Sequence, residues 1–174
     1  MKPAPPLQYV AAAMICASGF TSSPASAEPD FVSRFEGSWT GTGHTRTNVA
    51  DSSRNVRCQA TGSGTQTEIS IVGTCTAYGI FSREIGANVT FDPATETYTG
   101  VYRGSRAGPS QLSGQRTGDV LTLNIAWPRV INGDERAEMV LRNGADGRFT
   151  LEVNDEAPDT GEIVTTTAIE FTRQ

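Results

Sequence analysis

Beyond Lys2 the chain has no lysine, and its only histidine is His44. It contains no Gly-x-Ser-x-Gly elbow and no Ser-x-x-Lys pair. Nucleophilic catalysis needs a nucleophile held beside a base, so these absences remove most hydrolase arrangements. With Cys16 in the expected export segment, one histidine and the paired Cys58 and Cys75 cannot build a zinc site. The acidic run Asp155-Glu156-Ala157-Pro158-Asp159 reads as a solvated loop rather than a calcium site, which wants six or more oxygens in fixed geometry. With 14 Lys+Arg against 19 Asp+Glu the net charge is −5, opposite to the basic face that nucleic-acid binding needs. Aromatics are 7% and charged residues 19%, and no apolar run approaches the roughly 20 residues of a spanning helix. A membrane-spanning helix, a collagen-like chain and a strongly charged disordered tail are thereby excluded.

What is present begins with an export signal. Lys2 supplies a positive start, Val10 to Ala17 a short apolar core, and Ala25-Ser26-Ala27 a small-residue cleavage site before Glu28. The core is too short for an anchor, and Ile15 before Cys16 is not the small residue a lipobox wants. Residues 1–27 therefore read as a secretory signal peptide and 28–174 as a single domain, expected in the periplasm or secreted. Removing the signal removes the only lysine and Cys16, leaving 13 Arg, 19 acids and a charge of −6. The remaining even pair, Cys58 and Cys75, reads as one disulfide in an oxidising compartment.

From Phe35 onward turn signals recur every eight to twelve residues, among them Gly62-Ser63-Gly64, Asp92-Pro93, Asn132-Gly133 and Asp146-Gly147. Between them lie Thr-, Val-, Ile- and Tyr-rich runs with period-2 alternation. Leu121, Leu123, Ile125 and Trp127 share one face; so do Ala137, Met139 and Leu141, then Phe149, Leu151 and Val153, then Ile163, Ile169 and Phe171. The expectation is an all-β domain of about ten strands near 38–47, 54–61, 67–77, 86–91, 96–104, 109–116, 120–127, 136–142, 148–154 and 163–173. A helical turn is expected at Asp30 to Phe35. Short loops favour an up-and-down antiparallel barrel, with a β-sandwich as runner-up. The polar outward face does not suit an outer-membrane barrel. A hairpin placing Cys58 opposite Cys75 does not centre on Gly62-Ser63-Gly64, so either the loop runs on to about Glu68 or a bulge sits near Gly73.

The alternation also sorts candidate site residues. Phe91, Tyr98, Tyr102, Trp127 and Met139 fall on inner faces as candidate cup residues. Gly41, Gly43, Gly100 and Gly114 fall there too, marking either strand coiling or room for a ligand. His44 shares the parity of Thr40 and Thr42 and points outward.

The segment Phe35-Glu36-Gly37-Ser38-Trp39-Thr40-Gly41-Thr42-Gly43 resembles the opening of calycin-type barrels, the lipocalins and their relatives. Their Gly-x-Trp follows a short helical turn, and Gly37 and Trp39 match it. The resemblance implies a basic residue on the last strand packed over the indole, and Arg173 has that position. The extended Trp-x-Gly-x-Gly is also similar to nitrobindin-type ten-stranded barrels, some of which bind heme, and to exported bacterial domains without an assigned task. The resemblance implies a ligand in the cup and adds Trp39 and Arg173 to the candidate interior.

Together these point to a non-catalytic exported protein holding a small, mostly apolar ligand. No catalytic residue and no metal site is assigned. Heme or a lipid-like molecule is compatible with such a cup, although no clear axial ligand stands out. The alternatives are a protein–protein module, such as a protease or lysozyme inhibitor using Glu28–Arg34 or Trp127 to Glu135, an envelope structural protein, and, last, a barrel-cyclase type of enzyme.

Overall fold

A computed structural model describes Met1 and residues 28–174. Apart from Met1, the expected export segment lies outside the described residues. One short helix, α1 (Glu28–Ser33), precedes ten strands. These are β1 (Gly37–Thr45), β2 (Arg54–Gly64), β3 (Glu68–Ala77), β4 (Phe81–Asp92), β5 (Thr97–Arg103), β6 (Ser110–Thr117), β7 (Val120–Ile131), β8 (Asp134–Arg142), β9 (Arg148–Glu156) and β10 (Ile163–Arg173). Each pairs antiparallel with its sequence neighbour, and β1 pairs with β10, so the sheet closes into a barrel without an edge. Alternation puts apolar side chains inside and Thr, Gln, Arg and Glu outside, the inverse of a membrane-spanning barrel. No helix among the described residues is long and apolar enough to cross a membrane.

The Gly62-Ser63-Gly64 run is not a turn. It continues β2, pairing with Ile71, Ser70 and Ile69, and the reversal falls on Thr65-Gln66-Thr67. Cys58 and Cys75 are then direct partners, joined by a disulfide, with no register shift between β2 and β3. The two glycines serve the helix instead. A Cβ at Gly62 would sit 1.9 Å from the Phe35 carbonyl oxygen, and one at Gly64 2.8 Å from that of Val32. Only bare backbone lets the α1 segment lie this close. The inner glycines resolve the same way. A Cβ at Gly43, Gly100 or Gly114 would collide with a neighbouring strand's carbonyl at about 2 Å, so these positions permit tight coiling and leave no ligand space.

Two other expectations change. Strand β7 runs past Trp127 to Ile131, and the hairpin closes at Asn132-Gly133, both with positive φ, as a two-residue turn requires. In β10 a bulge between Thr165 and Thr167 adds one residue, which flips the side chains before it. Ile163, expected inside, is therefore 67% exposed.

Helix α1 seals one end. It is too short to be stable alone and is held by burial of Phe31 and Val32, with Phe35 just beyond it. Phe35 meets Phe149 edge-on, Trp39 meets Phe149 at 4.8 Å, and Phe149 stacks on Phe171 at 4.5 Å. The carbonyls leaving the helix have no partner within it. Trp39 Nε1 donates to Phe35 O at 2.9 Å, Arg173 Nη2 to Arg34 O at 2.9 Å, and Arg173 Nη1 to Glu36 O. The Arg173 guanidinium lies 4.5 Å from the Trp39 ring, and the two residues are paired across β1 and β10. Buried Asn143 adds a bond to Arg34 O, while the Arg34 side chain reaches Asp119 at 2.6 Å. Arg173→Met keeps most of the volume but loses the cation–π contact and two charge-assisted bonds. Urea denaturation is expected to register a loss of about 2 kcal/mol, and an unchanged midpoint would contradict this role.

Candidate functional site

With one end filled, the space inside the barrel lies at the other. A cavity of about 860 Å³ opens where β1, β3, β5, β7 and β9 end and the even strands begin. That is within the range of small-molecule sites, roughly 300–1,000 Å³. Its wall is mostly apolar, with Val56, Ile85, Leu151, Val153 and Ile169 facing inward. The β3–β4 hairpin extends this wall past the barrel: Tyr78, Ile80 and Phe81 line the mouth, yet are 71%, 76% and 66% exposed. Single exposed apolar residues are ordinary, but three adjoining ones at the lip of a cavity form a patch.

The sequence-derived cup residues divide by height. Tyr102 and Trp127 line the cavity, with ring centroids 6.4 Å apart. Tyr98 and Met139 are fully buried in the packed layer and do not line it. Phe91 packs on Tyr98 at 5.0 Å near the closed end. Trp39 and Arg173 belong to the seal. Parity along a strand distinguishes inside from outside but carries no information on which end is filled. The cavity is also lined by polar residues not singled out from the sequence as cup residues: Arg46, Arg54, Asn132, Asp155 and Thr166, of which Arg54 shares the inward parity of Val56 and Asp155 that of Leu151 and Val153. Arg46 and Arg54 flank the β1–β2 loop, and Thr166 faces in because of the bulge.

The polar atoms in this wall are unevenly satisfied. Asp155 is 3% exposed; its Oδ2 accepts from Asn132 Nδ2 at 2.8 Å, while Oδ1 is buried without a protein partner. Trp127 Nε1 and Arg46 Nε are likewise buried and unpaired. Of the four side-chain atoms in this condition among the described residues, these three belong to cavity-lining residues, and Thr150 Oγ1 is the other. Burial pushes the Asp155 carboxyl above the usual carboxylate range; Asp134 adds to this, and bonds from Asn132 and the Glu156 backbone oppose it. Burial also pushes the Tyr102 phenol up, partly offset by Arg83.

These residues do not suit a heme. His44 lies on the outer face of β1, between Asn55 and Ala168, away from the cavity. The lining contains no imidazole or thioether. Tyr102 offers a phenol whose raised pKa disfavours the phenolate an iron would need.

The shift of Asp155 has a defined sign. Its folded value exceeds the unfolded one, so the folded chain retains a proton the unfolded chain releases. Its contribution to stability is greatest below about pH 3.9 and falls as pH rises toward the folded value. Asp155→Asn is expected to melt higher than the parent at neutral pH and to converge with it in acid, measured by calorimetry across that range. A difference independent of pH would contradict the assignment.

No family model and no curated protein matches this sequence. Among solved structures the chain is similar to that of Rv2717c from M. tuberculosis, with a TM-score of 0.64 and 13% identity over 86% of this chain and 98% of that one. At that identity the likeness is one of fold: a closed antiparallel barrel of ten strands in this chain.

Proposed function

We propose that this protein is an exported, non-enzymatic binding protein that holds a small, mostly apolar ligand in the open half of its barrel. The observation that carries this is the cavity of about 860 Å³, apolar in most of its wall, in a barrel whose other half is tightly packed. Transfer of apolar surface from water into such a space is favourable by about 25 cal/mol per Å². The exposed Tyr78-Gly79-Ile80-Phe81 tip provides an apolar approach to the mouth. The Cys58–Cys75 disulfide supports an oxidising compartment, in keeping with the export signal read from residues 1–27 and a periplasmic location.

One observation favours a second reading, a protein partner at the same end. Val130 and Ile163, 62% and 67% exposed, lie near that lip on the overhanging β7 and at the start of β10. The segment Glu28–Arg34 offers less to a partner, since Phe31 and Val32 are committed to the core.

N-phenyl-1-naphthylamine, a neutral fluorescent probe, separates these readings. It is expected to bind saturably at one site and brighten. Ala77→Trp, which fills the cavity from β3, is expected to weaken binding on the order of tenfold or more while preserving the β-sheet circular dichroism. Unsaturable binding, or binding indifferent to Ala77→Trp, would leave the rim reading in place of the cup.

A further inference from the structure

The charge of the cavity is opposite to that of the chain. Against a net charge of −5, four arginines and one acid line it: Arg46, Arg54, Arg83 and Arg106 against Asp155. They come from two arcs of the mouth. Arg46 and Arg54 flank the β1–β2 loop, while Arg83 is on β4 and Arg106 in the β5–β6 loop.

None of the four forms an ion pair with a carboxylate among the described residues; the ion pairs at the surface are Arg34 with Asp119 and Arg148 with Glu170. Their bonds are to neutral oxygens and are long. Arg46 Nη1 donates to Val49 O at 3.3 Å, Arg54 Nη1 to Thr47 Oγ1 at 3.3 Å and Arg83 Nη1 to Gly104 O at 3.4 Å. A guanidinium carries five N–H donors, so most of this donor capacity faces the cavity or solvent unused. Of the buried polar atoms in the wall without a protein partner, two are donors, Arg46 Nε and Trp127 Nε1, and one is an acceptor, Asp155 Oδ1. The lining has one acid, Asp155, whose Oδ2 accepts from Asn132, so the arginines outnumber it four to one. Donors outnumber acceptors in this set, and planar guanidinium forks match the oxygens of carboxylate and phosphate.

We infer that the cup selects an anionic amphiphile, with its carboxylate or phosphate head at the arginines of the mouth and its apolar body against Val56, Leu151 and Ile169. This rests on the binding-cup reading and specifies the ligand class for it. A wholly apolar ligand would leave the arginines and the Trp127 N–H unanswered. A cationic one would meet four like charges.

The test is displacement of bound N-phenyl-1-naphthylamine by four twelve-carbon amphiphiles kept below their micelle concentrations: dodecanoate, dodecyl phosphate, dodecanol and dodecyltrimethylammonium. At least one anion is expected to displace the probe on the order of tenfold more tightly than dodecanol, with the advantage shrinking at high salt. Whichever anion binds tighter identifies the head. Arg46→Gln with Arg54→Gln, or Arg83→Gln with Arg106→Gln, is expected to reduce the anion toward the dodecanol level and leave dodecanol unchanged. Equal displacement by all heads, preference for the ammonium, no displacement by any of them, or an anion preference surviving in both double variants would overturn the inference. Failure of the probe itself to bind would remove the cup as well, whereas dodecanol competing as well as the anions removes only the head-group assignment.

Discussion

The fold depends on how the end of α1 is tied to the first and last strands. Three successive carbonyls, of Arg34, Phe35 and Glu36, leave the helix without internal partners. They are met by the Arg173 guanidinium and the Trp39 indole, which also stack on each other. The bond to the Phe35 carbonyl is buried, and a buried acceptor left unmet costs on the order of 1–3 kcal/mol. The same two side chains therefore close the sheet, cap the helix and hold its apolar residues against Phe149 and Phe171. A ten-stranded barrel has two equivalent mouths until something fills one of them. Here the fill comes from the segment preceding β1, and the choice of end follows from where that segment emerges.

Everything about the candidate site follows from this asymmetry. The sealed half is packed with Tyr98, Leu121, Leu123 and Met139, none of them measurably open to solvent. The open half has a wall of aliphatic residues, two aromatic rings and a mouth framed by overhanging hairpins. Among the described residues, three of the four buried side-chain polar atoms without a protein partner belong to residues that line its cavity. Close-packed interiors satisfy their polar groups, so unmet donors and acceptors gathered at one cavity are the feature that distinguishes it from mere incomplete packing.

Much of the fold was legible from residue order. Period-2 alternation located ten strands because one face of each is buried and the other wet. The meeting of Trp39 with Arg173 was implied by the resemblance that Gly37-x-Trp39 carries rather than by residue order, and the two do meet. Glycine was harder to interpret. Gly62-Ser63-Gly64 has the composition of a turn, yet its glycines exist to admit the helix backbone, a contact set by tertiary structure rather than local propensity. The bulge that turns Ile163 outward left no local signature either. In the site, Tyr102 and Trp127 were identified, whereas Tyr98, Met139 and Phe91 were grouped with them because alternation carries no height. Of the arginines of the mouth, Arg54 and Arg83 share the inward parity of Val56 and Ile85 but were passed over as charged residues near strand starts, whereas Arg46 and Arg106 lie in loops, where parity carries no information.

The central claim is that one end of the barrel is closed and the other receives a ligand. The chain carries two tryptophans, and they mark the two ends: Trp39 in the seal and Trp127 in the cavity wall. Their indole N–H groups give two separate cross-peaks in a proton–nitrogen correlation spectrum. Titration with N-phenyl-1-naphthylamine is expected to move the Trp127 peak and leave that of Trp39 in place. Movement of the Trp39 peak alone, or two stationary peaks at saturating probe, would contradict the account.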